Sequence, residues 1–377
     1  MGQDREDGVS KVSLVKVGSI DSAVNRAVRL ACDLDALVPS GAKVFVKPNM
    51  LAGLDPETGA TTNPRVLEAL IRLLQTRTHD ITLVESDFKV PLVRGAPMPM
   101  ERDLDRVYEM PQYDGVRALG VKFLNLSRGS RRIYGDIAGM FIGTLRFPVV
   151  LENVDVLINV PVMKTHYMTT VTLGLKNLYG LIPRGHVRAR LHTMIAEVLC
   201  DLAARFKPRL TLIDGTIGME GAYGPCFGAP AYSRVLVAST DLVAADSVGC
   251  RVMGFQPESM TGQNPIALAE TRGIGNAALG RIEVVGEKID RVRRKYDMDK
   301  QLPLELVRGI RELGTFTESE IAESFAGRED LVRRYIESML RYGPVVRERG
   351  MLRYDENLYR SAFICKVCGD CPEWSTL

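Results

Sequence analysis

Short β-branched runs alternate with longer stretches of helical periodicity along most of this 377-residue chain, and that alternation restricts its fold more than any other feature. Runs at Val12–Val17, Ala42–Val46, Ile81–Val84, Val121–Leu126, Val154–Val160, Leu210–Ile213, Val235–Ala238 and Ile282–Val285 have the length and composition of strands. Between them, apolar residues recur at helical spacing, as at Val66, Leu67, Leu70, Ile71 and Leu74. That helix has a marked start, with Asn63 able to cap it and Pro64 placed where no backbone donor is needed. The pattern predicts an α/β fold, a mostly parallel sheet with helices on both faces. The 154–160 run is largely apolar on both faces, as a strand covered on both sides should be. From about residue 286 charged helical patterns take over, including a capping-box start at Thr317 with Glu320. The expected division is an α/β body over 1–285, a helical C-terminal region over 286–360 that packs on it, and a Cys-rich metal-binding tail over 361–377.

Composition narrows the function classes. A formal charge of +3, with aromatic residues not interleaved among basic ones, argues against a nucleic-acid surface. The N-terminal residues carry Asp4, Arg5 and Glu6 and no apolar core, so neither a secretory leader nor myristoylation at Gly2 is expected. The longest apolar runs are of strand length, so no membrane span is expected and the protein reads as cytoplasmic.

In sheets of this kind ligands bind beyond the carboxyl ends of the strands. Three segments that follow strands carry unusual chemistry and read as loops: Lys47 to Gly53, the segment beginning at Lys164, and Asp214 to Gly221. The second is the densest. Lys164-Thr-His166 leads through Lys176 and Asn177 to Arg184, His186, Arg188, Arg190 and His192, with no carboxylate before Glu197. Three of the four histidines of the protein lie there. Such a set of donors would hold an anionic substrate by charge-assisted hydrogen bonds, and histidine exchanges protons near neutral pH. A solvated basic loop is the alternative. Lys47 and Asn49 would point into the same cleft, or Pro48 and Asn49 merely shape a turn. Glu85 and Asp214, each after a strand, are candidate bases or orienting groups, although Asp214-Gly215 also suits a turn. Glu220 stands in a glycine-rich stretch whose backbone donors would meet a carboxylate or phosphate. No phosphate-binding P-loop, dinucleotide fingerprint or serine-hydrolase elbow is present.

The seven cysteines fall into two groups. Cys32, Cys200, Cys226 and Cys250 are scattered, whereas Cys365, Cys368 and Cys371 form C-x2-C-x2-C. That is the ferredoxin spacing for three ligands of a cluster, with Ser375 standing where the fourth cysteine would be. A [4Fe–4S] cluster with one iron open, or completed by a remote cysteine, is the expected occupant; zinc is the rival.

The motifs Val46-Lys-Pro-Asn49, Thr61-Thr-Asn-Pro64, Glu85-Ser86, Asn153-Val-Asp155 through Lys164-Thr-His166, Thr172 to Gly180, Asp214-Gly215, Gly224-Pro225, Gly228 and Asp241 to Asp246 occur in order over roughly residues 40–255. Together they resemble the family called domain of unknown function 362, whose members often carry ferredoxin-like cysteine clusters. The truncated cluster departs from that pattern. The order His166, Gly174, Lys176, Gly180 and a further histidine is also similar to the central motif of the nickel-pincer lactate racemases. That resemblance implies Lys176 as an anchor for the pincer and His186 or His192 as a metal ligand, with a glycine-rich run reduced here to a single Gly.

The expected function is an enzyme that moves a proton on a small carboxylate or phosphate, of isomerase or lyase type, assisted by the C-terminal iron–sulfur cluster. Lys164, Lys176 and Arg184 would bind the anion, His166 would lead the acid–base chemistry with His192 second, and Asp214 or Glu85 would orient them. An iron–sulfur oxidoreductase or electron-transfer protein with a redox partner is the alternative, and a non-catalytic binding protein is the third reading. A homodimer is compatible with all three.

Overall fold

The computed structural model describes residues 8–51, 53–87, 103–128, 131–133, 141–143, 145–166, 168–221, 228–298, 312–326 and 345–355, with Leu306, Gly309, Ile310, Glu329, Val332, Arg333, Ile336 and Leu340. Its centre is an eleven-stranded sheet. Across it the strands run in the order Ile282–Gly286, Ser10–Lys16, Val235–Ser239, Leu210–Glu220, Val156–Val160, Val44–Pro48, Ile81–Glu85 and Lys122–Asn125. Pairing is parallel from Leu210–Glu220 through to Lys122–Asn125. It is antiparallel where Val235–Ser239 is inserted between Leu210–Glu220 and Ser10–Lys16. The fold is thus α/β with a mostly parallel sheet, and all eight expected runs are strands.

The strands are apolar on both faces because both faces are covered. Phe45, Val84, Leu157 and Ile213 join one core, which contains Leu199 and Leu202 of the helix Ile195–Phe206 and Val243 and Val248 of Leu242–Val252. Val44, Val46, Leu83, Ile158 and Leu212 alternate into a second core with Val24 and Val28 of Ile20–Ala31 and Leu67 and Leu70 of Pro64–Gln75. This is the period-two alternation of a strand, hidden in a sequence where both faces are buried. Asn63 caps Pro64–Gln75 by accepting from the Arg65 N–H.

Three expectations differ from the structure. The segment after Lys164 begins as a strand, Val162–His166, which turns back through Thr170–Thr172. The stretch from Asp214 to Glu220 is the continuation of one long strand, not a loop. Its glycines allow close approach: a Cβ on Gly218 would lie 2.3 Å from Tyr296 Oη and 2.4 Å from the Met163 carbonyl. Glycine density in a strand signals crowding as readily as a turn. Finally, the expected helical region over 286–360 also contains a three-stranded sheet of Thr315–Phe316, Val345–Glu348 and Met351–Tyr354. Arg349 and Gly350 both take positive φ in its hairpin, the backbone that matches the twist of paired strands. The capping box of Thr317 with Glu320 is formed. Phe316, Ile321 and Ile310 of this region pack on Leu54, Ala60, Met219 and Ala229 of the body. Among the described residues no helix is long and apolar enough to cross a membrane.

Candidate active site

Parallel register puts polar residues side by side at the carboxyl ends of three central strands. Lys47 lies opposite Asn159, and Glu85 ends the next strand. Lys47 Nζ meets Glu85 Oε2 at 2.7 Å with both side chains buried. The same ammonium donates to the Pro48 carbonyl at 3.1 Å and to Asn177 Oδ1 at 3.4 Å. Burial pulls the Lys47 ammonium below its usual pKa, and Glu85 opposes that pull. Asn177 Nδ2 donates in turn to the Lys47 carbonyl at 3.1 Å and to Asn159 Oδ1 at 2.8 Å, and Asn159 Nδ2 donates to the Gly174 carbonyl at 3.0 Å. Gly180 closes the cluster: a Cβ there would stand 2.2 Å from Glu85 Oε1 and 2.7 Å from Lys47 Nζ.

A short helix, Gly174–Asn177, carries Lys176 into this region. It is held from below by Asp246, whose carboxylate accepts the Gly174 N–H at 2.6 Å and the Leu175 N–H at 2.8 Å. Burial pushes the Asp246 carboxyl up to about 7 against those two donors. Lys176 makes no ion pair among the described residues; its ammonium lies 5.7 Å from the centre of the Tyr179 ring. Burial, then the nearby Arg188 charge, lowers its pKa to about 8.

His166 ends its strand two residues beyond Lys164, so both side chains project from one face. Lys164 Nζ donates to Asn49 Oδ1 at 3.2 Å and to the Ala60 carbonyl at 2.8 Å, which links this strand to the residues following Lys47. The helix Gly185–Leu191 brings His192 back toward His166, with ring centres 6.1 Å apart and planes inclined by 30°. Tyr179 stands edge-on to His192 at 5.1 Å. The Arg188 guanidinium is buried and donates to Ser86 Oγ and to the carbonyls of Ile182 and Asp87. Burial, then Lys176, His192 and Lys164, holds His166 well below its ordinary pKa. Burial and Lys176 hold His192 at about 4. Both rings are therefore neutral near pH 7, in surroundings whose charged groups are mainly cationic.

The other expected residues are placed differently. Asp214 accepts the Asn63 N–H at 2.7 Å and both the N–H and hydroxyl of Thr216, a local arrangement that pins the Leu210–Glu220 strand and does not reach a histidine. Glu85 pairs with Lys47 and likewise orients no histidine. Glu220 accepts from Arg294 Nη2 and the Asp297 N–H, both at 3.0 Å, which ties the strand to the segment after the body. Arg184 is exposed, and His186 lies on the Gly185–Leu191 helix. Cys365, Cys368 and Cys371 lie outside the described residues, as does Cys226. Among the described residues no three His, Cys, Asp or Glu side chains converge for a metal ion.

Three residues that sequence reasoning did not single out matter here, Asn159, Asp246 and Tyr179, while Arg188 stood there only as one of the segment's cations. The first two carried a signal. Asn159 is a lone amide inside an otherwise apolar strand, and Asp246 a lone carboxylate inside the apolar helix Leu242–Val252. Buried polar groups in such settings must find partners, and both do.

The model of the family described as domain of unknown function (DUF362) matches residues 44–251, which hold every residue of this cluster. This chain belongs to the DUF362 family. A further relative is the thylakoid-associated protein sll1697 of Synechocystis sp., 28% identical over 265 residues, 67% of this chain and 77% of that protein. Among solved structures, the lactate racemase apoprotein from Thermoanaerobacterium thermosaccharolyticum is similar with a TM-score of 0.41 and 14% identity over 67% of this chain. The DUF362 chain spans 60% of the length of that racemase.

Proposed function

We propose that this DUF362 protein is an enzyme that moves a proton on a small anionic substrate, a carboxylate or phosphate, in an isomerase- or lyase-type reaction. The observation that carries this reading is the meeting of two neutral histidines, His166 and His192, beside Lys176, an ammonium with no ion-pair partner among the described residues. A neutral imidazole both accepts and donates a proton, and a cation without a carboxylate leaves a place for a substrate anion. Lys176, with its pKa near 8, stays mostly charged at neutral pH and binds that anion. Arg188 and the Lys47–Glu85 pair hold the surrounding chain in place. The reading puts the protein in the cytoplasm, where thiols stay reduced.

The test is exchange of carbon-bound hydrogen in deuterated water, followed by NMR over a panel of small carboxylates and phosphate esters with anaerobically purified protein. Wild type is expected to wash out a substrate signal, and His166→Asn and His192→Asn to slow it by the ~10²–10⁴-fold typical of acid–base residues. Both variants turning over at the wild-type rate would end the proposal.

The tail belongs to the same proposal. Cys365, Cys368 and Cys371 offer three thiolates with spacing suited to a [4Fe–4S] cluster. Such a group would supply an iron able to polarise a substrate oxygen, or an electron relay. Metal and sulfide analysis of the anaerobic protein is expected to find iron with matching sulfide, lost together in Cys368→Ser. Zinc without sulfide would assign the tail to the rival metal.

A further inference from the structure

We propose that the protein holds His166 and His192 in opposite tautomers, so that His166 presents a donor, Nε2–H, while His192 presents an acceptor, the Nε2 lone pair. Two backbone contacts carry this. The Met168 N–H reaches His166 Nδ1 at 3.2 Å, and a backbone amide can only donate. His166 Nδ1 must therefore offer its lone pair, and the ring proton sits on Nε2. The Arg188 carbonyl lies 2.9 Å from His192 Nδ1, and a carbonyl oxygen can only accept. His192 Nδ1 must therefore carry the proton, leaving Nε2 as acceptor.

Tyr179 reinforces the second assignment. Its hydroxyl donates its one proton to the same Arg188 carbonyl, so a phenol lone pair faces His192 Nδ1 at 3.5 Å. With Nδ1 unprotonated, three lone pairs would confront one another across these contacts. The i, i+4 spacing of Arg188 and His192 creates the first contact. Burial, with the Lys176 charge beside it, disfavours a doubly protonated ring at either position, which agrees with two neutral tautomers.

The catalytic meaning of the asymmetry rests on the proton-transfer reading above. His192 Nε2 takes the proton from the substrate carbon, and the C–H electron pair stays on the substrate and spreads to its oxygen. That oxygen accepts a hydrogen bond from His166 Nε2–H, which is not itself transferred. A neutral imidazole suits this task, since it polarises an oxygen without having to give up a proton. The proton on His192 exchanges with solvent, and a proton then returns from the ring to the substrate, so the ring ends as it began. The bound anion offsets the Lys176 and Arg188 charges that otherwise disfavour the His192 cation.

The test does not need the substrate. Histidine-selective 15N labelling and a two-bond proton–nitrogen correlation spectrum near neutral pH report which nitrogen of each ring is protonated. The four histidines are assigned with single His→Asn variants, and three folded variants suffice by elimination. The expected result is His166 protonated at Nε2 and His192 at Nδ1. His192 protonated at Nε2 or at both nitrogens, or His166 protonated at Nδ1, would overturn the proposal. Once an exchanging substrate is in hand, His166→Gln, which keeps a donor near the Nε2 position, should retain at least tenfold more turnover than His192→Gln. Equal losses would remove the division of roles. Absence of exchange with the tautomers as assigned would sink the enzymatic reading alone; exchange with both rings in one tautomer would sink this one alone.

Discussion

The Glu85→Ala variant is expected to lose about 3–5 kcal/mol of stability, the range seen when one partner of a buried ion pair is removed. The pair with Lys47 is 2.7 Å long, and the two side chains are 1% and 6% exposed. Without Glu85 the Lys47 ammonium keeps only the Pro48 carbonyl and Asn177 Oδ1, both neutral and more distant. Burial already depresses the Lys47 pKa, so part of the strain is relieved by loss of its proton. Lys47→Met combined with Glu85→Leu removes both charges and should recover most of the stability, because apolar replacements of buried pairs are often neutral or better. Chemical denaturation measures both. A loss below about 1 kcal/mol for Glu85→Ala would be the behaviour of a solvated surface pair and would contradict a dry site.

Asp246→Ala is expected to cost about 2–6 kcal/mol, from two buried backbone donors left without an acceptor at about 1–3 kcal/mol each. The donors are the Gly174 and Leu175 N–H groups, at the start of the Lys176 helix. Asp246→Asn keeps one acceptor and should lose about half as much. The two proteins also separate in their pH dependence. The folded Asp246 carboxyl, near 7, lies above the unfolded value of about 3.9, so the folded state binds its proton more tightly between those limits. The stability this contributes is fully present below about pH 4 and is lost as pH rises through about 7. Wild type should therefore lose its margin over Asp246→Asn across that window. A margin that is flat or widens with pH would place an ionised Asp246 in the folded protein at all pH values. Thermal melts at several pH values read the difference.

Much of the fold was legible because it depends on local pattern. Eight β-branched runs became eight strands, and Asn63 and Thr317 capped the helices they precede. The strand from Asp214 to Glu220 was misread because glycine and aspartate are turn residues in an exposed chain. Here Pro161, Thr216 and Asn63 satisfy the polar groups of Asp214, and Tyr296 fills the space over Gly218. The hairpin around Arg349 was hidden among charged residues that read equally well as helix.

The candidate site was legible as a region and not as a set of pairs. Charge density pointed to Lys164, His166, Lys176 and His192, and the strand-end rule pointed to Lys47 and Glu85. Nothing in the order of residues says that Glu85 turns to Lys47, 38 positions away, and not to a histidine. Nor does it say that Asp246 holds Gly174 from 72 positions away. By itself the sequence determined the layered α/β body and the concentration of cationic and imidazole groups after one central strand, because periodicity and composition act along the chain. The tertiary structure alone decided which polar groups meet, which backbone groups face the two imidazoles, and that Lys176 has no ion-pair partner among the described residues. Those outcomes depend on burial and on distances of a few ångström between elements far apart in the chain, where an unpaired polar group is costly and each donor must face an acceptor.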